Sequence, residues 1–377
     1  MRSLHIDTAT SWRGGQNQVL LTVLGLLEAG ERASIVGHPS GELRKRAAEG
    51  LEFIPLAPAH ELDLKAGWKL SRVLNRVQPD VVHAHDPHAV SMAAVALSMT
   101  SQSPAPPLVA SRRVDFHLKK NSFSSWKYRQ VSVFIAASEA IAQILRADGV
   151  SPSRIRTVHE GIDVERIAHI DAANVHAELY LPTNAPVVGN IGALVAHKGQ
   201  RHFIDAAALV VREVPDARFV ILGEGTLRHA LEHQIKHLHL ERHVFLAGFR
   251  PDVIAWLKGF DFFVMSSETE GLGTSILDAM ACEKAVIGTS AGGIPEVVED
   301  GVTGLVLPPQ DPHALADAMV ALLTDTQRRS AMAAAGLARV KARFTVERMV
   351  AATRAIYTEV VGRGASDDRM NDPGPTE

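Results

Sequence analysis

Cys282 is the single cysteine in 377 residues, so no intrachain disulfide can form, which suits a reducing compartment. It stands in a helix-to-strand stretch, where burial is the expected role. An excess of one charge is missing too. Lys and Arg total 39 against 42 Asp and Glu, a net of −3, which excludes the broad basic field of a nucleic-acid binder. No apolar run reaches membrane-spanning length, and the opening MRSLHIDTATSWRGG lacks an apolar signal core. These absences predict a soluble, cytoplasmic protein, free to touch a membrane surface without crossing it. The rest is ordinary for a globular chain, 46% hydrophobic and 21% charged. Its length exceeds what one hydrophobic core usually supports, so two domains are expected.

The most informative stretch begins at Phe260-Asp261-Phe262-Phe263-Val264-Met265, which reads as a buried strand. A polar, glycine-punctuated turn follows. A helix is then expected from about Thr274, with Ile276, Leu277, Ala279 and Met280 on its apolar side. A strand feeding a Gly-rich turn and a helix aims free N–H groups and the positive dipole end at one spot. Such a spot suits a phosphate. Glu270 precedes the turn and Asp278 lies about one helical turn inside. Carboxylates there are suited to accept hydrogen bonds from sugar hydroxyls. Phosphate cradle and flanking acids together describe a site for a sugar nucleotide.

In order and spacing, Glu270, Ala279-Met280-Ala281, Gly292-Gly293-Ile294-Pro295-Glu296 and Gly301-x-x-Gly304 resemble the donor-binding segment of retaining GT-B glycosyltransferases. The family is family four, glycosyl transferases group 1, of the bacterial surface-glycan type. Asp278 departs from its pattern, standing where a second Glu is usual; it keeps the charge with a shorter reach. An ordinary α/β unit with a glycine-rich turn is the bland alternative, and the ordered pattern is far more specific than that. Further matches follow along the chain. Gly14-Gly15, ahead of a helix with Val19, Leu20, Val23, Leu24 and Leu27, resembles the family's first-domain Gly-Gly, which faces the interdomain cleft; a purely structural turn is the alternative. Glu160-Gly161-Ile162-Asp163 resembles the Asn-Gly-Val-Asp that closes the first domain. Gly192-Ala193-Leu194-Val195-Ala196-His197-Lys198-Gly199 resembles the Gly-Arg-Leu…Lys-Gly loop that neutralises the donor diphosphate. Lys198 is retained, whereas Ala193 replaces the Arg.

Strands and helices alternate from end to end. Strands are expected at 4–6, 33–37, 53–56, 80–85, 108–110, 133–137 and 155–158, with helices at 64–77, 89–98 and 139–147. After a polar linker at 165–185 the rhythm resumes, which means parallel sheets with helices on both faces. The resemblance implies an α/β, GT-B architecture of two Rossmann-like domains facing a central cleft. The expected domains are 1–168 on the acceptor side and 169–344 binding the nucleotide sugar. A helix at 345–362 is expected to cross back to the first domain, and a disordered tail to occupy 363–377.

Other groups carry open readings. His83 and His85 share a strand face, but the metal-hydrolase pattern His-x-His-x-Asp-His is not matched, so no metal is expected. His85 is either a residue touching sugar or acceptor or a hydrogen-bonded structural histidine. Where the family often has a His, this chain has Arg113. An arginine cannot be a general base, but Arg112 or Arg113 could hold a departing phosphate or an anionic acceptor. Arg112, Arg113, Lys119, Lys120, Lys127 and Arg129 interleave with Phe116, Phe123, Trp126 and Tyr128. That segment fits an anionic membrane or acidic acceptor, or is a mobile solvated loop. Gly223-Glu224-Gly225 lacks the third glycine of a dinucleotide fingerprint, Arg228 standing there. His229, His233 and His237 read as a solvated helix face.

The resemblance implies a metal-independent hexosyltransferase without a cofactor, its co-substrate a nucleotide-diphosphate sugar. Glu270, Lys198 and Arg113 would serve catalysis. Gly14, Gly15, Lys198, Glu270, Gly271, Leu272, Gly273, Thr274 and Asp278 would bind donor, and His85, Arg112 and Arg113 would lie on the acceptor side. The acceptor expected is a glycan or lipid-linked saccharide, such as lipopolysaccharide or a related surface glycan. A GT-B sugar-nucleotide epimerase and a non-catalytic sugar-nucleotide-binding partner remain as alternatives.

Overall fold

The computed structural model describes residues 1–47, 50–119 and 121–370, the last seven by backbone only. The chain divides into two compact units, residues 1–161 with 346–377 and residues 162–345. In the first, among the described residues, seven parallel strands are β1 (Arg2–Asp7), β2 (Arg32–Gly37), β3 (Glu52–Pro55), β4 (Val81–Ala84), β5 (Leu108–Arg112), β6 (Val131–Ala136) and β7 (Ile155–Thr157). Their order is β3-β2-β1-β4-β5-β6-β7. The second holds β8 (Val187–Ile191), β9 (Arg218–Leu222), β10 (Val244–Gly248), β11 (Phe262–Met265), β12 (Ala285–Thr289) and β13 (Gly304–Leu307), in the order β10-β9-β8-β11-β12-β13. In both sheets the strand order therefore reverses once, between β1 and β4 and between β8 and β11. Ligands of open parallel sheets bind outside the carboxyl ends of the strands at such a switch point.

Local chemistry explains the alternation. Strands buried on both faces are continuous apolar runs, as in β11, where every residue of Phe262–Met265 is buried. Helices start where a side chain can take an orphan amide. Asp63 accepts from Ala66 N ahead of the helix Leu64–Val77, and Asp86, followed by Pro87, caps the helix Pro87–Leu97. Ser138 does the same for the helix Glu139–Ala147.

Four expectations need correction. The boundary falls at 161/162, because Ile162 bridges to Thr345 and Ile167 enters the second unit's core. The stretch 165–185 is no free linker: it carries the short helices Val164–Ala168 and Val175–Glu178, and Val175 is also buried there. The last helix, Val346–Met370, outruns the expected start of a disordered tail at 363, since extending a nucleated helix is far easier than starting one; residues 371–377 lie outside the described residues. It belongs to the first unit, where Val346, Met349 and Val350 join the core beside Val19, Val23 and Leu26. Finally, the basic-aromatic segment is not a loop throughout, for Ser122–Arg129 is a helix capped by Asn121.

Candidate functional site

The second unit's switch point is built by two loops locked together. Gly199 has φ +65° and begins the helix Gln200–Glu213; a Cβ there would lie 2.0 Å from the Ser266 carbonyl oxygen. Gly292 has φ +52°, and its Cβ would fall 1.7 Å from the Glu270 carbonyl oxygen. Only glycine fits either place. Glu268 N donates to His197 O at 2.7 Å, and Ser266 Oγ to Lys198 O at 3.2 Å. Thus the loop after β8 and the loop after β11 meet along their backbones.

Their meeting point carries an ion pair. Lys198 Nζ lies 2.5 Å from Glu270 Oε2, the side chains 21% and 13% exposed. Ser267 Oγ donates to the same oxygen at 3.1 Å, and Gly271 N to Glu270 Oε1 at 3.3 Å. The helix Thr274–Ala281 starts at Gly273 with no side-chain cap, so its first-turn amides keep the anion-binding character of a helix start. Leu272 is buried in the core, so any contact it makes with a ligand is through its main chain. Asp278 sits half-buried on that helix. Its neighbour Cys282 is buried, and burial together with the Asp278 charge pushes the thiol up to about 12.

In the first unit, the switch point is a histidine chain that sequence reasoning did not find. His85 Nε2 and His5 Nδ1 are 3.0 Å apart, and His5 Nε2 is 3.0 Å from Ser3 Oγ. Arg113 NH1 lies 3.1 Å from His85 Nδ1, and Arg113 Nε 3.0 Å from Glu160 Oε1. A guanidinium only donates, so His85 Nδ1 must accept and its proton rests on Nε2. That proton goes to His5 Nδ1, and His5 Nε2–H donates in turn to Ser3. One arginine thereby sets two tautomers. His83 is tied elsewhere, to Tyr357 Oη at 2.6 Å and Ser111 Oγ at 2.8 Å. Burial first, then neighbouring charge, lowers all three imidazoles, His5 to about 3 and the others well below the usual range. They are neutral at physiological pH.

His5, His83 and His85 present ligand atoms within 4.8 Å of one another, the neutral nitrogens a metal would need. Each ring nitrogen already has a hydrogen-bond partner, however, and the Arg113 guanidinium beside His85 repels a cation. The donor set fits a hydrogen-bond relay better than a metal. Gly15 adjoins Arg113, since a Cβ on it would stand 3.8 Å from Arg113 Cδ. Asp7, at the end of β1, receives Gln16 Nε2 at 3.1 Å and Ala9 N at 3.1 Å. Burial, then the Asp86 charge, raises its carboxyl to about 6.

Gly15, His85 and Arg113 thus come together, and Lys198 with Glu270. Arg112 does not join them: its guanidinium donates to Phe116 O, and burial lowers its pKa. Lys127 is no surface cation. It is 1% exposed and donates to Glu61 Oε1 at 2.8 Å, Ser91 Oγ at 3.0 Å and Pro87 O at 3.2 Å. Lys119 lies 3.4 Å from the same Glu61, and Lys120 lies outside the described residues. His229, His233 and His237 are exposed.

Two parallel sheets of like strand order, each with polar loops at its switch point, define a two-domain Rossmann-like α/β protein of the GT-B class. The profile described as "Glycosyltransferase Family 4" matches residues 12–166, and that of "Glycosyl transferases group 1" matches residues 171–339. The chain is 27% identical to the N-acetyl-alpha-D-glucosaminyl L-malate synthase of Bacillus anthracis over 79% of its length and 80% of that protein. It is 28% identical to the lipopolysaccharide core biosynthesis mannosyltransferase LpsB of Rhizobium meliloti, over 64% of this chain and 70% of that one. Anabaena HepE, solved in complex with UDP and glucose, has the same fold. The TM-score is 0.83 at 22% identity, over 95% of this chain and 100% of that one. The chain belongs to the glycosyl transferases group 1, glycosyltransferase family 4. It is a glycosyltransferase that uses nucleotide sugars.

Proposed function

We propose that the protein is a retaining, metal-independent hexosyltransferase that moves a sugar from a nucleoside-diphosphate donor to a glycan or lipid-linked saccharide. The observation that carries this reading is the Lys198–Glu270 pair at the second unit's switch point, beside an uncapped helix start. Lys198 and the amides of residues 271–274 take the diphosphate, Glu270 the sugar hydroxyls and Asp278 the ribose. Gly14 and Gly15 let the donor approach the backbone, while His85 and Arg113 serve the acceptor, with the Arg113 charge on an anionic group; Arg112 lies on the acceptor side too, its guanidinium bonded to Phe116 O. The bond from the sugar C1 to the diphosphate breaks as the acceptor oxygen bonds C1 on the same face. The acceptor proton passes to a diphosphate oxygen, so no side-chain nucleophile and no cofactor is needed.

The relative LpsB, named for lipopolysaccharide core biosynthesis, supports a surface-glycan acceptor. The N-acetyl-alpha-D-glucosaminyl L-malate synthase favours a second reading, a small anionic acceptor, which Arg113 would suit equally. No helix among the described residues is long and apolar enough to cross a membrane, so a lipid-linked acceptor would be met at a surface. The test is transfer by the full chain, with a panel of nucleotide sugars against lipid extracts and small hydroxy acids, with and without chelator. Transfer with retained anomeric configuration in chelator is expected. Loss of activity restored by magnesium or manganese overturns metal independence, and isomerisation of donor alone makes the protein an epimerase.

A further inference from the structure

The helix Leu64–Val77 has two faces of different chemistry. Ala66, Gly67, Leu70, Ser71, Leu74 and Val77 are buried against the first unit. The outer face carries Lys65, Lys69, Arg72 and Arg76, and the helix contains no acidic residue. Among these cations Arg76 approaches a carboxylate, Glu52, at 3.8 Å; Lys65, Lys69 and Arg72 form no ion pair among the described residues. The acids just before the helix are engaged. Asp63 caps it, and Glu61 holds Lys119 and Lys127. Among the cations stand large apolar side chains open to solvent: Leu62 at 47%, Leu64 at 57% and Trp68 at 49% exposed. The Arg72 guanidinium lies 5.3 Å from the centre of the Trp68 ring. The Lys127–Glu61 bond ties the helix Ser122–Arg129 to the stretch just before this one.

In water this arrangement gains little beyond the Arg72–Trp68 contact. Like charges at Lys65 and Lys69, four apart, repel, and exposed Leu and Trp forgo burial. We propose that this face docks the protein on anionic lipid headgroups. The cations meet the headgroup phosphates and carboxylates, while Leu62, Leu64 and Trp68 enter the boundary between headgroups and acyl chains. Nucleic acid would satisfy the charges but offers nothing to two leucines. The surface differs from the one expected at residues 112–129, where Lys127 is buried and Lys119 is neutralised by Glu61. It gives the lipid-linked acceptor reading its site of encounter, and rests on that reading for its purpose alone.

The test is co-sedimentation of the full chain with vesicles of phosphatidylcholine, pure or mixed equally with phosphatidylserine, without donor or acceptor. Binding to the mixed vesicles alone is expected, weakening as salt rises. Each cation near such a surface is worth about fivefold in affinity, so reversing Lys65, Lys69 and Arg72 to Glu lowers binding on the order of a hundredfold or more. Trp68→Ser lowers it about tenfold at every salt concentration. Nucleotide diphosphate binding is unchanged in both variants, which shows that they fold. No vesicle binding by the parent at low salt overturns the proposal, as does parental binding by the triple variant. Retention of the parent by an acidic polypeptide but not by vesicles also overturns it, making the face a protein-docking surface. Vesicle binding without transfer to any lipid-linked acceptor leaves this inference standing and sinks the acceptor reading instead.

Discussion

Lys198 Nζ and Glu270 Oε2 lie 2.5 Å apart although 72 residues separate them in sequence. In this state the cation that would hold a diphosphate is engaged by the carboxylate that would hold the sugar. A bare nucleotide diphosphate must draw Lys198 away from Glu270, whereas an intact donor can engage both. Glu270→Gln should therefore bind nucleotide diphosphate as well as the parent or severalfold tighter. Its turnover should drop about tenfold or more, the worth of a charge-assisted hydrogen bond. Lys198→Met should weaken nucleotide binding by a similar factor. Titration calorimetry beside steady-state kinetics separates these effects; a tenfold loss of nucleotide affinity in Glu270→Gln would move that residue off the sugar.

Gly292 tests how rigidly the loop is held. Its left-handed backbone and the 1.7 Å approach of a Cβ to the Glu270 carbonyl leave no room for a methyl group. Gly292→Ala should cost about 2 kcal/mol or more of stability and displace Glu270, so turnover falls even where the protein is folded. Thermal unfolding and kinetics at a permissive temperature check both. An unchanged melting temperature would contradict the geometry.

The histidine chain predicts a pattern of rescue. Arg113 needs an acceptor at His85 Nδ1, and a glutamine side chain also presents one acceptor and one donor. His85→Gln should then keep most transfer activity, while His85→Leu and Arg113→Met lose it together, with nucleotide affinity unchanged in all three. Equal activity of His85→Leu and the parent would reduce the chain to packing.

Stability should respond to pH in two opposed ways. Asp7 has its carboxyl raised from 3.8 to about 6, so the folded state holds a proton that the unfolded state has lost. That contribution favours folding at low pH and is lost as pH rises to about 6, a difference of about 3 kcal/mol. The three histidines are lowered, so theirs is full above the unfolded value of 6.5 and is lost as pH falls below it. Asp7→Asn should raise stability in mildly alkaline buffer and change it little near pH 4. Denaturant melts across that range decide it, and a stabilisation largest at low pH would reverse the assignment.

Much of this was legible in the sequence because it depends on neighbours along the chain. Apolar runs and caps such as Asp63 and Asp86 place the elements, and their alternation yields parallel sheets. The glycine positions, Lys198, Glu270 and Asp278 could be singled out because the motif keeps fixed spacings around one strand–turn–helix unit. Tertiary structure alone decided what distant residues do to one another. Strand order put His5 beside His85 and His85 beside Arg113, making a relay of residues on or just past three adjacent strands. Packing buried Lys127, which the sequence reading counted among surface cations, and left Trp68 and three cations of its helix, unpaired among the described residues, facing solvent. Burial and pairing come from segments far apart in sequence, and no local pattern encodes which face a folded neighbour will cover.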